Sequence, residues 1–214
     1  MIRVGYAQSG LKSGATMLTP QFLNIGSSGS MPLDLITPTG DDTSDNVAIQ
    51  TLNAAGQTVD TYTWNDYMYA APCWVNDDFE QVSGVVFAAG AGLWTYGSAV
   101  GQGIQTAGVV GTEDVVVQLK PGATATGNPF PTTLTLDEIV PEGGDTSDNV
   151  AIQTLNAAGQ TVDTYTWNDY MYDNPCWVND DFEQVSGVKF AAGTGLWVYG
   201  SSTAQYLRFP APEL

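Results

Sequence analysis

Hydrophobic residues along this chain recur at every second position over short runs, the spacing of half-buried strands. Val47-Ala-Ile-Gln-Thr-Leu52 alternates in this way, and Asn53-Ala-Ala-Gly56 reads as a tight hairpin with Gly56 supplying a positive φ. The chain returns through Thr58–Trp64, rich in β-branched and aromatic residues. Tyr67-Met-Tyr69 and Cys73-Trp-Val75 are expected as short strands around a break at Pro72. Gly84–Phe87 and Leu93–Tyr96 are expected to form a second hairpin, with Val85 and Phe87 inward and Val86 outward. Short strands are expected at Val4–Ala7 and Val115–Leu119, and single helical turns at Leu33–Ile36 and Leu136–Ile139. No segment sustains a 3.6-residue period. The pattern predicts an all-β protein of two tandem homologous antiparallel β-sandwich or small β-barrel domains, the alternative being one barrel built from both copies.

The tandem reading rests on an internal repeat. Residues 42–98 align without gaps on residues 145–201, 103 positions on. They differ at five positions only: Ala70/Asp173, Ala71/Asn174, Val86/Lys189, Ala91/Thr194 and Thr95/Val198. Further back, Leu11-Lys-Ser-Gly-Ala-Thr16 answers Leu119-Lys-Pro-Gly-Ala-Thr124 at an offset of 108. The expected domains are residues 1–108 and 109–214, with the boundary near Ala107 to Thr112. A valine answered by a lysine marks a side chain that reaches water. Ala70-Ala71 against Asp173-Asn174 marks an exposed loop tip, and positions 91/194 and 95/198 are expected to be at least partly accessible. Such differences are expected to share one surface.

Charge narrows the partners. The chain carries 23 acidic and 5 basic residues, a formal charge of −18. With Arg3, Lys12, Lys120, Lys189 and Arg208 as its cations, no basic patch forms, which argues against nucleic acid and anionic lipid. No run approaches the roughly 20 apolar residues of a membrane helix, so membrane insertion is not expected. The first residues lack the apolar core of a signal peptide. If the chain is a mature form, an extracellular or cell-surface location is expected.

The chain has no histidine, which removes imidazole acid–base chemistry and most zinc sites. Cys73 and Cys176 are the same residue of the two copies and are expected as buried free thiols. Loops around Asp42 and Asp45, and around Asp145 and Asp148, present carboxylates of the kind Ca²⁺ takes among its 6–8 oxygen ligands. The same residues also suit solvated turns, in which Asp bonds its own backbone. Asp78 and Glu80 form a carboxylate pair of the kind glycoside hydrolases use.

The most suggestive feature is an aromatic cluster: Tyr62, Trp64, Tyr67, Tyr69 and Trp74, interleaved with Asn65 and Asp66, and repeated as Tyr165, Trp167, Tyr170, Tyr172 and Trp177. Rings beside amides and carboxylates stack on sugars, and rings also build cores. Candidate ligand contacts are Tyr69, Tyr172, Trp64, Trp167, Asp173 and Asn174, with Tyr69 and Tyr172 expected at the surface. Trp94, Tyr96, Trp197 and Tyr199 are expected in the core or half-buried.

The run Val85-Val-Phe-Ala-Ala-Gly-Ala-Gly-Leu-Trp-Thr-Tyr96 resembles the Gly-x-Gly-Leu-Trp-x-Tyr ending of β-rich tandem-repeat bacterial proteins. That resemblance implies a surface or secreted module and transfers no site residue. The five differing pairs also resemble adenine-directed changes in targets of diversity-generating retroelements, although the C-type-lectin signature is absent and drift after copying is simpler. The function expected is a non-enzymatic binding or adhesion module for a carbohydrate or a host-surface protein. A structural assembly protein of a phage or cell envelope is the alternative, and a glycoside hydrolase-like enzyme the third reading.

Overall fold

The computed structural model describes residues 4–23, 29–53, 55–98, 101–156 and 158–213. Its regular structure is all β apart from two single 3-10 turns, at Leu33–Leu35 and Leu136–Glu138, where the helical turns were expected. The first half contributes β1 (Val4–Gly10), β2 (Gly14–Leu18), β3 (Ser30–Pro32), β4 (Ile36–Thr39), β5 (Ala48–Leu52), β6 (Thr58–Asn65), β7 (Cys73–Val75), β8 (Val86–Ala88), β9 (Leu93–Gly97) and β10 (Gly103–Val109). The second contributes β11 (Val115–Gln118), β12 (Gly122–Gly127), β13 (Leu134–Thr135), β14 (Val140–Gly143), β15 (Ala151–Leu155), β16 (Thr161–Asn168), β17 (Cys176–Val178), β18 (Gln184–Val185), β19 (Lys189–Phe190), β20 (Gly195–Gly200) and β21 (Gln205–Phe209).

Each sheet draws its strands from one half. In the first, β2-β9-β5-β6-β7, β1-β10-β4 and β3-β8 form antiparallel sheets; in the second, β12-β20-β15-β16-β17-β18, β11-β21-β14 and β13-β19 correspond. None closes into a barrel, which removes both barrel alternatives. The β5–β6 hairpin forms as its sequence predicts, closed by Asn53 Oδ1 accepting from the amides of Ala55 and Gln57. Ala54 of the predicted Asn53–Gly56 turn, its counterpart Ala157 and Arg3 lie outside the described residues.

Two strand expectations need correction. The second predicted hairpin does not exist: β8 pairs with β3, and β9 pairs with β2 and β5. Two short apolar runs close in sequence were each claimed by a more distant strand, because both needed inward neighbours that a mutual hairpin did not offer. Tyr67–Tyr69 is a bend, not a strand, because buried Asn65 takes the amides of Tyr67 and Met68 at 3.3 and 2.8 Å and so turns the chain.

All three sheets of the first half feed one core, through Met31, Ile36, Ile49, Trp74, Phe87, Leu93 and Ile104. Trp74 is 1% exposed, and its indole N–H donates to the Ile36 carbonyl at 2.9 Å, as Trp177 does to Ile139. The second core contains the corresponding Leu134, Ile139, Ile152, Trp177, Phe190, Leu196 and Leu207.

The halves meet through reciprocal contacts. Turn 88–92 leans on β12, with the Gly92 amide donating to Ala125 at 3.1 Å and the Thr126 hydroxyl to Gly90 at 2.6 Å. Turn 191–194 leans on the end of β2, with the Thr19 amide donating to Gly193 at 3.0 Å. Between them lies an apolar cluster of Met17, Ala123 and Trp197 with Leu52, Trp94, Ala125 and Leu155. Hairpin glycines fit against the opposing rings: a β-carbon on Gly159 would stand 2.9 Å from Trp94, and one on Gly56 would stand 3.6 Å from Trp197. So β2 and β12 face the opposite half, while β7 and its flanking loops lie across the five-stranded sheet from that contact.

Candidate functional site

Three loops assemble beside β7, and the same three beside β17. The first, residues 41–46, is the acidic loop. Asp42 and Asp45 adopt positive φ (54° and 58°), as Asp145 and Asp148 do (53° and 58°), a conformation that Asp tolerates better than most residues. Gln102, 2% exposed, holds this loop by donating from Nε2 to the Asp42 carbonyl at 2.7 Å; Gln205 does the same to Asp145 at 2.6 Å.

The carboxylate of Asp45 is already used. Oδ1 accepts from Asn65 Nδ2 at 3.1 Å, and Oδ2 accepts the Tyr67 hydroxyl at 2.6 Å. Asp148, Asn168 and Tyr170 repeat this network. Among the described residues, no three acidic or cysteine side chains come together as a metal-holding group. Asp45 and Asp148 buttress the next loop. That hydrogen bond raises the Tyr67 phenol above its ordinary pKa, and Asp148 does likewise for Tyr170, because ionisation removes the shared proton.

The second loop, 66–72, is thereby fixed from below. Asn65 is wholly buried, and Ser44 Oγ accepts the Asp66 amide at 3.1 Å. The loop has no choice but to project Tyr67 and Met68, 63% and 48% exposed. Tyr69 is 37% exposed and ties this loop to the third: its hydroxyl donates to the Phe79 carbonyl at 2.9 Å and accepts the Gln81 amide at 3.1 Å.

The third loop, 76–80, is closed by Asn76, whose Oδ1 accepts the amides of Asp78 and Glu80 at 3.0 and 2.9 Å. Closure forces Phe79 to φ +60°, and leaves its ring 54% exposed; Phe182 repeats both at φ +59° and 55%. A bulky residue in this region costs about 1–2 kcal/mol, and an exposed ring recovers little of that by burial.

The candidate contacts divide. Tyr69, Tyr172, Asp173 and Asn174 are at the surface, Asp173 and Asn174 on the loop tip itself. Trp64 and Trp167 are not: Trp64 is half-buried and Trp167 is 9% exposed, each packed edge-on against Trp74 or Trp177 with centroids 5.3 Å apart. Their alternation along β6 and β16 turns them toward the core, so they support the site without forming its surface. Asp78 and Glu80 stand exposed on the third loop. Met68, Phe79 and Gln102, with their counterparts, belong to the site without having been candidates in the sequence. A phenylalanine inside the acidic turn Asn76-Asp-Asp-Phe-Glu80 was the available signal, since an apolar residue there has nowhere inward to go. Both thiols are buried and unpaired, and burial raises their pKa.

The five differing positions do not share one surface. Ala70, Ala71, Val86 and their counterparts are exposed, and 91/194 half-buried, but Thr95 and Val198 are 1% and 0% exposed. Tyr199 is 39% exposed, against the expectation for it, while Trp94, Tyr96 and Trp197 are half-buried or buried. No protein-family model matches the chain, and no curated protein or solved structure matches it significantly.

Proposed function

We propose that the chain is a non-enzymatic binding module that presents one aromatic contact surface on each of two homologous β domains, 1–108 and 109–214. One observation carries this reading. Of the sixteen large hydrophobic side chains exposed among the described residues, eight are Tyr67, Met68, Tyr69, Phe79 and their exact counterparts in the second copy. Concentrated exposed apolar surface on a soluble fold marks a contact site, and here rigid loops hold it out at a cost in backbone strain. Two like sites raise avidity for a repetitive partner without new contacts, which fits adhesion to a carbohydrate or host surface by an extracellular or cell-surface protein. The test is binding of the intact chain to a panel of glycans and surface proteins. Tyr69→Ala with Tyr172→Ala is expected to abolish it, and no binding across the panel would remove the proposal.

Assembly is a second reading, supported by a different observation. Among the described residues β1 is a seven-residue edge strand, with Val4 and Tyr6 at 67% and 72% exposure, and such an edge is a template for pairing with another chain. Ordered oligomers in sedimentation, abolished by Tyr6→Pro, would favour that reading.

A further inference from the structure

The partner of these loops must suit an apolar surface ringed by carboxylates. Asp66, Asp77, Asp78 and Glu80 are all exposed around Tyr67, Met68 and Phe79. No lysine or arginine occurs in sequence between Lys12 and Lys120 or between Lys120 and Lys189, the exposed lysine of β19 in the second half. The two ion pairs found among the described residues both belong to Arg208, with Asp114 and Glu142, and neither touches a loop of the site. The rings have little hydrogen bonding left to give, because the Tyr67 hydroxyl is committed to Asp45 and the Tyr69 hydroxyl to the third loop. They offer faces, a thioether and a phenyl edge. Sugar hydroxyls would donate to these carboxylates but leave their charge uncompensated, and anionic polymers would be repelled. Lysine and arginine side chains fit both parts at once: their methylene stems lie on apolar surface, their charged heads reach carboxylates, and aromatic faces attract cations.

Resting on the reading of these loops as a contact surface, we infer that the partner is a cationic protein segment in which lysine or arginine alternates with apolar residues, one segment docking on each half. The second half binds it more tightly, because Asp173 adds a carboxylate at the loop tip where the first half has Ala70.

The test uses the full chain and a labelled peptide of alternating lysine and leucine, with a serine–leucine peptide and a neutral oligosaccharide panel as the other arms. The lysine peptide is expected to bind, more weakly as salt rises. Phe79→Gly with Phe182→Gly is expected to lower affinity by about tenfold or more, the size of a lost contact anchor. Glycine suits the positive φ at these positions, so an unchanged melting curve shows that the loss is not unfolding. Ala70→Asp is expected to tighten the first site and Asp173→Ala to weaken the second. Peptide binding indifferent to the Phe79 and Phe182 changes would overturn the inference, since it would report attraction to the acidic surface at large. Oligosaccharide bound in place of peptide, and lost in the same variants, would overturn the cationic partner and leave the contact surface standing. Wild-type chain that binds none of the three would remove both.

Discussion

The two halves differ inside their cores as well as at their surfaces. In the first, a cavity of about 20 Å³ is lined by Ser9, Thr19, Gln21, Thr95 and Thr106 among apolar neighbours. At the positions that answer Ser9, Thr95 and Thr106, the second half has Val117, Val198 and Phe209, all packed into its core. The register fixes this correspondence, since Thr106 pairs Ala7 and Phe209 pairs Val115 in equivalent ladders. Thr95 keeps its hydroxyl satisfied by donating to the Thr16 carbonyl at 2.8 Å, whereas Thr19 Oγ1 and Gln21 Oε1 are buried without a protein partner. The lesson is that near-identity over residues 42–98 and 145–201 does not make two identical cores. The diverged flanking strands β1, β10, β11 and β21 complete each core, and the single buried difference within the copied segment follows them, threonine with threonine and valine with phenylalanine.

The sharpest way to break this comparison is Phe209→Thr, which transplants the first half's residue into a core that has no compensating neighbours. It is expected to cost about 3–5 kcal/mol in chemical denaturation, the range of a large-to-small core change. Thr106→Ser in the first half removes only a methyl group and is expected to cost about 1 kcal/mol. Equal losses would mean that the two cores are not differently filled.

Gln102→Ala and Gln205→Ala address what the halves share. Each leaves an acidic-loop carbonyl without its buried donor, an expected loss of about 1–3 kcal/mol. The loss should be matched between halves, with faster amide exchange over residues 41–46 or 145–149. At the copied position itself the expected effects are unequal: Val198→Thr buries a hydroxyl among apolar side chains for about 1–3 kcal/mol, while Thr95→Val changes stability by no more than about 1 kcal/mol.

Alkaline titration gives the smallest signal. Because the Asp45 bond raises the Tyr67 phenol, the folded loop holds its proton more tightly than the unfolded chain does. This contribution is whole below the ordinary tyrosine value of about 10 and is lost as pH rises through the raised one; Tyr170 behaves alike. In ultraviolet titration, Asp45→Asn with Asp148→Asn is expected to bring both phenols back down.

Much of the fold was legible in the sequence because it is written in short-range alternation. β5, β6, β7 and the positions of β1 and β11 follow from it. Strand pairing was not, since β8 and β9 carry apolar runs that fit several neighbours, and only the three-dimensional core decides among them. Within the site, the exposure of Tyr69 was legible from the variable loop beside it. Trp64 was not, because an aromatic residue next to polar ones reads alike whether it faces solvent or core. The role of the acidic loop was not legible for a related reason: nothing in the sequence around Asp45 marks its carboxylate as the acceptor of the Tyr67 hydroxyl. A valine-to-lysine change did report exposure, whereas threonine to valine, nearly equal in volume, did not.

The central claim is that each half carries its own working surface. Calorimetric titration of the lysine–leucine peptide into the intact chain tests it most directly. Two equivalents should bind to the wild type, and in a chain carrying Phe79→Gly alone one of the two should bind about tenfold or more weakly. A single equivalent for the wild type, or two of undiminished affinity for the substituted chain, would contradict the account.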